Sequence, residues 1–520
     1  MSWTRYPEMG WDGQVKRRGN RRTWLFGLVL AAMALLNAGC SRPANEQTSV
    51  APTTTTSVAP TTTTTTVPAR APTAIRKLGA EGSGIVQPVA NAPLPVGWTE
   101  TEYLFGGTAT SYQEVGSPEA DGFWDAAEDG RAEYLTRMIV RLPPPETFSG
   151  VVLVEWFNVT AGTDTSPDWG HLAEEIGRSG YGWVGVSAQR VGVHGVKSSW
   201  IAEGLIDTRG LREKDSERYG DLHHPGDAYS YDMFTQAGNM VAGRASVDPL
   251  VGFSPTHVIA MGESQSAGFM TTYVNAVHPL VRIFDGFLIH SRGNNVPDLQ
   301  AERPNREESP LVRTDLEEPI LIYVTETDLV ELGYASARQD DSGGVLTWEV
   351  AGTAHADAYS LHAAGLPRDA SVGSLLGCST PINDGPQHET LQAAVHHLTA
   401  WVVNGTRPPT SPRIVMADNG TIARDDLGLA LGGIRTPQVD APVRVVSGQS
   451  AGDGGACFLF GQTSPFDQEV LTGLYADEAT YLEALQASVD QAVAAGWLLP
   501  EDAATMAGEE ATRASLLGLG

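Results

Sequence analysis

The sequence predicts an α/β fold in which helices cover both faces of a mostly parallel central sheet. Residues 151–157, 258–261 and 319–324 are short, nearly continuous apolar runs, as expected of strands buried on both faces. Segments with helical patterns separate several of these runs. Each run ends in glycine, polar or acidic residues, and open α/β sheets place their sites at that carboxyl edge.

The remaining elements follow in order along the chain. Residues 101–113 and 132–143 begin the domain as two antiparallel strands, before the strand at 151–157. The elements that follow are a helix at 168–179, a strand at 182–188, a helix at 229–244, strands at 258–261, 283–290, 319–324 and 345–351, and a helix at 388–403. Insertions at about 189–228 and 375–460 and a C-terminal amphipathic helix at 469–495 complete the domain.

A sharp strand-to-helix turn is predicted where the strand at 258–261 runs into the sequence GESQS. This resembles the G-x-S-x-G pattern, which places a serine at the apex of a strained turn with its hydroxyl exposed. Small side chains are needed at Gly262 and Ser266 because the strand and the helix nearly collide there. Ser266 replaces the second glycine of the pattern. Ser264 is therefore the candidate nucleophile.

An acid and a histidine follow in the order that such a serine needs. Glu326 and Asp328 come directly after the strand at 319–324, and His355 follows the strand at 345–351. The order serine, acid, histidine is that of the α/β-hydrolase fold and differs from the orders in chymotrypsin and subtilisin. His355 would take the proton of Ser264, and the acid would fix the histidine tautomer.

Of the two carboxylates, Asp328 is favoured because a turn of three residues carries it past the strand end, and Glu326 is the alternative. An oxyanion hole in this fold uses the N–H of the residue after the nucleophile, here Gln265. A second N–H comes from the loop after an earlier strand, here Asn158 or Val159. We expect no metal and no cofactor, since no Cys/His spacing is typical of a zinc site.

Several longer segments carry a resemblance to a known family. They are VVLVEWFNVTAG (151–162), RYGDLHHPGDAYSYDMFTQAG (218–238), GESQSAG (262–268), TETD (325–328), WEVAGTAHAD (348–357) and the helical tail YADEATYLEALQASVDQAVAAGWLLPEDA (475–503). The chain resembles bacterial α/β-hydrolase-domain proteins of the secreted and lipoprotein type over most of residues 80–515. The resemblance implies the fold and a serine-hydrolase triad, and says little about the substrate.

The N-terminus has the pattern of an export signal. Five basic residues at 16–22 precede an apolar run at 24–36, which is too short to span a membrane, and Ala38-Gly39-Cys40 follows. Arg21-Arg22 resembles a twin-arginine motif. Cys40 resembles the lipidated cysteine of a lipobox, although Asn37 stands where that motif prefers an aliphatic residue. We expect a signal peptide at 1–40 with lipidation of Cys40; simple secretion and an uncleaved anchor are the alternatives.

The following segment and the overall charge agree with an exported protein. Residues 41–76 form a Thr/Pro-rich tether that cannot bury a core, which leaves 77–520 as the α/β-hydrolase domain with its insertions. The net charge of −28 disfavours nucleic acid as a partner. Cys378 and Cys457 could form a disulfide in an oxidising compartment or remain free thiols.

The sequence therefore predicts an exported serine hydrolase that cleaves an ester or related acyl bond through an acyl-enzyme intermediate. Its expected partners are a small-molecule or lipid-like ester and, through the N-terminal lipid anchor, a membrane. An acyltransferase would use the same three residues with an alcohol as acceptor. A non-catalytic surface-binding protein on the same scaffold is the alternative from another class, since a fold does not guarantee a function.

Overall fold

The computed structural model describes residues 71–79, 82–197, 206–301, 309–367, 371–450 and 455–519. The predicted signal peptide with Cys40 and residues 41–70 of the predicted tether lie outside these ranges. Among the described residues, no helix has the length and apolar character that crossing a membrane requires.

Within the described ranges, nine strands form one sheet in the order β1-β2-β3-β5-β4-β6-β7-β8-β9. They are β1 (Ala74–Lys77), β2 (Thr99–Val115), β3 (Asp125–Leu142), β4 (Val151–Trp156), β5 (Gly182–Val186), β6 (His257–Glu263), β7 (Gly286–His290), β8 (Ile320–Thr325) and β9 (Val345–Val350). The pairs from β1 to β3 and from β3 to β5 are antiparallel. All pairs from β5 through β4 to β9 are parallel, so the carboxyl ends of β6, β8 and β9 lie along one edge.

The helices connect these strands and extend the chain beyond them. They are α1 (Pro167–Ser179), α2 (Arg190–His194), α3 (Leu211–Lys214), α4 (Ser216–Tyr219), α5 (Ser230–Val241), α6 (Gln265–Thr272), α7 (His278–Val281), α8 (Glu326–Val330), α9 (Ala358–Ala363), α10 (Ser371–Leu375), α11 (Gln387–Asn404), α12 (Pro437–Asp440), α13 (Gln468–Leu474), α14 (Glu478–Ala494) and α15 (Pro500–Ala514). A separate hairpin pairs β10 (Arg444–Ser447) with β11 (Gln462–Pro465).

The parallel strands bury side chains on both faces, which accounts for their continuous apolar sequences. Along β4, Val152 and Val154 pack in a cluster with residues of α5 and α6. Leu153, between them, points to the opposite cluster, which residues of α1 and α11 cover. Alternate strand residues thus face two helical layers. The predicted architecture, a mostly parallel central sheet with helices on both faces and a C-terminal helical extension, is confirmed.

The C-terminal extension differs from the single helix predicted at 469–495. The chain leaves the helical conformation after α13, and Asp477 begins α14 by accepting a hydrogen bond from the Thr480 N–H at 2.8 Å. An aspartate that caps a helix in this way interrupts the preceding apolar periodicity. α15 follows and is fastened to the domain by ion pairs from Arg178 to Asp502 and from Arg444 to Glu510.

The two cysteines of the domain are joined. Cys378 follows α10 and Cys457 precedes β11, and the structure links them in a disulfide with their Cα atoms 5.5 Å apart. The sequence left this pairing open. The bond connects the two ends of the predicted insertion at 375–460, across 79 residues of the chain.

Candidate active site

Ser264 lies at the apex of the turn between β6 and α6. Its backbone has φ 59° and ψ −117°, a conformation that costs a residue other than glycine about 1–3 kcal/mol. A Cβ atom at Gly262 would lie 3.1 Å from atoms of Ser266, so strand and helix approach as closely as the sequence pattern requires. The Ser264 N–H donates to the carbonyl oxygen of His290 on the neighbouring strand β7 at 2.9 Å, which ties the turn to the sheet.

The structure brings Ser264, His355 and Asp328 together in one hydrogen-bonded chain. The Nε2 atom of His355 lies 2.8 Å from Ser264 Oγ, and its Nδ1 atom lies 2.7 Å from Asp328 Oδ1. Asp328 is fully buried, and His355 is 6% exposed. Both follow the carboxyl ends of strands, at the edge where β6 delivers the serine.

The carboxylate of Asp328 is held by the first turn of α8. Its second oxygen accepts the Thr325 N–H at 2.8 Å, while the Asp328 N–H donates to the Thr325 hydroxyl at 3.2 Å. This reciprocal cap fixes the direction of the carboxylate. One oxygen is left for the imidazole of His355.

Glu326, the alternative acid, binds backbone and arginine groups rather than His355. Its oxygens accept backbone N–H groups of Gly352 at 2.6 Å and Gly448 at 3.1 Å, and it pairs with Arg424 at 2.8 Å. The alternative assignment is therefore corrected. Glu326 joins the turn after β8 to two later segments of the chain, and the histidine contacts Asp328.

The three residues predicted to form the oxyanion hole differ in whether their backbone N–H groups are already occupied. Gln265 is the first residue of α6, so its N–H has no acceptor within the helix. The Asn158 N–H donates to the carbonyl oxygen of Thr165 at 3.1 Å, and this bridge removes Asn158 as a backbone donor. The Val159 N–H lies 3.4 Å from the side-chain oxygen of Gln265, so Val159 and Gln265 meet beside the serine.

Glu263 is a residue of the site that the sequence analysis missed. Its Oε1 atom lies 3.3 Å from His355 Nε2, the same nitrogen that contacts Ser264. The side-chain amide of Asn158 donates to Glu263 Oε2 and to its carbonyl oxygen, each at 3.0 Å. The signal in the sequence is a glutamate that ends an apolar strand buried on both faces, directly before Ser264.

Burial and neighbouring charges shift the pKa values of Glu263 and His355. Burial raises the pKa of Glu263 to about 7, against the opposing effect of His355 and His290. For His355, burial alone would lower the pKa, but the charges of Glu263 and Asp328 together outweigh it, and the pKa is raised. The imidazole is thus more basic than burial alone would leave it.

A second acid–histidine pair lies on the same side of the sheet. His290 ends β7 opposite Glu263, and its Nδ1 atom lies 2.8 Å from Asp168 Oδ1 on α1. Both side chains are fully buried. The Nε2 atom of His290 is 3.2 Å from the side-chain nitrogen of Gln387 on α11, and among the described residues this pair has no hydrogen bond to a serine or threonine hydroxyl.

Comparison with known proteins assigns the family. The model of the α/β hydrolase domain family matches residues 57–508, and the chain belongs to this family. None of the curated proteins matches the chain.

The chain is also similar to solved structures of several hydrolases. An esterase from Rhizomucor miehei shares 10% identity over 60% of this chain and 86% of its own, with a TM-score of 0.29. A putative dienelactone hydrolase from Klebsiella pneumoniae shares 11% identity over 41% of this chain and 79% of its own, with a TM-score of 0.26. An α/β serine hydrolase homologue from Coxiella burnetii shares 12% identity over 46% of this chain and 90% of its own, with a TM-score of 0.25. At these values the similarity carries no argument about the reaction.

Proposed function

We propose that the protein is a serine hydrolase that cleaves an ester or related acyl bond through an acyl-enzyme intermediate. The observation that carries the proposal is the chain of contacts from Ser264 through His355 to Asp328, at 2.8 and 2.7 Å. A serine hydroxyl within hydrogen-bond reach of a histidine that an acid orients is the arrangement of an activated nucleophile.

The proposed reaction has two halves. As Ser264 Oγ attacks the carbonyl carbon, its proton moves to His355 Nε2, and Asp328 stabilises the imidazolium through Nδ1–H. The imidazolium then gives this proton to the leaving alcohol while the carbon–oxygen bond of the ester breaks. In the second half, water attacks the acyl carbon and gives a proton to His355. The imidazolium then returns this proton to Ser264 Oγ as the bond between Oγ and the acyl carbon breaks and the acid leaves.

The N–H groups of Gln265 and Val159 are the proposed donors to the oxyanion. Gln265 offers a helix N-terminal N–H next to the nucleophile. The Val159 N–H meets the Gln265 side-chain oxygen at 3.4 Å, longer than an ordinary N–H···O bond. A substrate oxygen can replace this weak contact.

Labelling by a fluorophosphonate probe tests the proposal most directly. The purified domain should be labelled once and should hydrolyse p-nitrophenyl esters, whereas Ser264→Ala should do neither. Ser266→Ala is the matched control, because it removes the next hydroxyl of the same turn and should keep both activities. Turnover that survives in Ser264→Ala would refute the assignment of the nucleophile, and a folded wild type without labelling would favour the non-catalytic binding protein.

The acceptor of the acyl group decides between hydrolase and acyltransferase. Release of free acid in the presence of a short alcohol supports water as the acceptor, and formation of a new ester identifies the transferase. A panel of esters of graded chain length would then define the acyl pocket. We favour the hydrolase as the simpler use of the site.

For residues 1–76 the proposal rests on the sequence. We propose a signal peptide at 1–40, lipidation at Cys40 and a tether at 41–76 that holds the domain of residues 77–520 outside the cell. The disulfide between Cys378 and Cys457 supports export, because such bonds persist mainly in oxidising compartments.

A further inference from the structure

Two side-chain oxygen atoms lie close to one nitrogen in the candidate active site. His355 Nε2 lies 2.8 Å from Ser264 Oγ and 3.3 Å from Glu263 Oε1. In the neutral imidazole with its proton on Nδ1 toward Asp328, Nε2 carries a lone pair that accepts from Ser264. In the imidazolium, Nε2 carries a proton that a carboxylate at Glu263 would attract.

Glu263 is held in this position. Asn158 binds its second carboxyl oxygen and its carbonyl oxygen, both at 3.0 Å, and the Asn158 side-chain oxygen accepts the Thr160 N–H at 2.7 Å. The side chain is 8% exposed. The carboxyl therefore stays beside His355 Nε2 rather than turning to solvent.

The charges that face Glu263 come from each element packed around it. They are His355 after β9, Asp328 on α8, His290 on β7 and Asp168 on α1. Two of these are carboxyls and two are imidazoles, arranged as the pairs Asp328–His355 and Asp168–His290. Glu263 lies next to both pairs, and its Oε1 atom is 3.3 Å from His355 Nε2, so a change in its charge acts directly on His355.

We propose that Glu263 is a positioning residue that sets the proton affinity of His355 and thereby the pH range in which Ser264 is activated. The inference rests on the proposed function. At low pH His355 Nε2 carries a proton, so the imidazole cannot accept the proton of Ser264. As the pH rises, His355 and Glu263 first share one proton, which the charge of Glu263 favours on Nε2, and loss of that proton to solvent frees the lone pair for the reaction.

The same carboxylate assists the reaction at higher pH. When Ser264 attacks, positive charge develops on His355, and an ionised Glu263 stabilises it. A stronger base gives a faster proton transfer in general base catalysis. Glu263 therefore raises the rate at alkaline pH. It also moves the acid limb of the pH–rate profile, where the rate rises as His355 loses its proton, to higher pH.

The test is the pH profile of kcat/KM for an ester that wild type hydrolyses, compared with Glu263→Gln. An opposite charge within 4–6 Å raises a histidine pKa by about one unit or more, so the acid limb of the variant should move about one unit to lower pH. Its alkaline plateau should fall several-fold, because the base is weaker, and the two curves should cross. A role in packing alone would lower the whole curve without moving it.

Glu389→Gln is the matched control. Glu389 is another buried carboxyl, on α11, with its pKa raised by burial, and its carboxylate lies 3.0 Å from Nδ1 of His388 rather than beside His355. This variant should keep the wild-type acid limb. If its limb moves as far as that of Glu263→Gln, the effect is general to buried carboxyls and the inference is overturned.

The outcomes separate this inference from the proposed function. If wild type shows no turnover that depends on Ser264, the proposed function fails. If such turnover exists and the curves of wild type and Glu263→Gln coincide after scaling, only the inference on Glu263 fails. If Glu263→Gln does not fold, Glu263→Asp replaces it as the test. Its shorter side chain places the carboxyl farther from His355, so the acid limb should move in the same direction by a smaller amount. An unmoved acid limb would refute the inference.

Discussion

The guanidinium of Arg424 lies 2.8 Å from the carboxylate of Glu326, and this ion pair separates the roles of two acids that stand two residues apart. Glu326 and Asp328 both belong to the first turn of α8. The ion pair draws Glu326 toward the segment that carries Arg424, whereas Asp328 faces His355. Neutralising one acid should therefore change activity, and neutralising the other should change stability.

Asp328→Asn should lower kcat/KM for an ester by about 10⁴-fold, as loss of the corresponding acid does in a serine protease. Glu326→Gln should instead lower the free energy of unfolding by about 3 kcal/mol. This value is at the low end for breaking a buried ion pair, because the Arg424 side chain is 21% exposed. Kinetics and chemical denaturation of the two variants measure both effects. A larger loss of activity in Glu326→Gln would identify Glu326 as the acid.

Ser264→Gly should be more stable than Ser264→Ala. The backbone at this position has φ 59°, where a Cβ atom is strained and glycine is not. After the larger entropy of unfolded glycine is subtracted, we expect a difference of about 1 kcal/mol in the free energy of unfolding. Both variants lack the hydroxyl, so thermal denaturation compares the backbone alone. Equal midpoints would mean that the turn relaxes when the serine is removed.

Removal of the disulfide should destabilise the domain without removing its reactivity. The bond closes a loop with a sequence separation of 79 residues, and loop-closure entropy for that length corresponds to about 4–5 kcal/mol. Cys378→Ala/Cys457→Ala should unfold at lower denaturant and still react with a fluorophosphonate probe. Wild type under reducing conditions serves as the control and should match the variant. Identical midpoints of oxidised wild type and the variant would show that the bond does not constrain the unfolded chain.

Cys40→Ser should stop attachment to membranes. The proposed anchor needs two or more acyl chains for stable binding, because a single chain binds only marginally. Wild type expressed in a bacterial host should fractionate with membranes, and the variant should appear in the medium or as an unprocessed precursor. Mass spectrometry of the mature N-terminus checks the modification. An unmodified residue at or after Cys40 would make the protein a freely secreted one.

The fold and the approach of Ser264, Asp328 and His355 follow from local patterns. Strands buried on both faces require continuous apolar residues, and parallel strands bring their carboxyl ends to one edge. The position of Asp328 followed from the length of the turn after β8. Each of these residues belongs to a short pattern at the end of a strand, so the sequence alone could predict where it lies in the sheet.

The contacts that the sequence did not predict depend on distant pairings. The N–H of Asn158 is occupied because Thr165 folds back on it, and a loop after a strand does not reveal this bridge. Glu263 contacts His355 because the carboxyl ends of β6 and β9 lie along the same edge of the sheet. The disulfide could not be predicted without the distance between Cys378 and Cys457, which only the packing of the segment at 375–460 determines.

The ion pair between Arg178 and Asp502 has a consequence for how the chain folds during synthesis. Its partners are 324 residues apart, on α1 and α15. At about 5–20 residues per second, a ribosome needs roughly 16–65 s to make the intervening chain. Throughout this interval Arg178 can pair with Glu175 in its own helix but not with Asp502, so the contact that joins α1 to α15 forms only when the last helix has emerged. Completion of the domain therefore waits for its C-terminus, and nascent chains truncated before α15 should be the ones that chaperones retain.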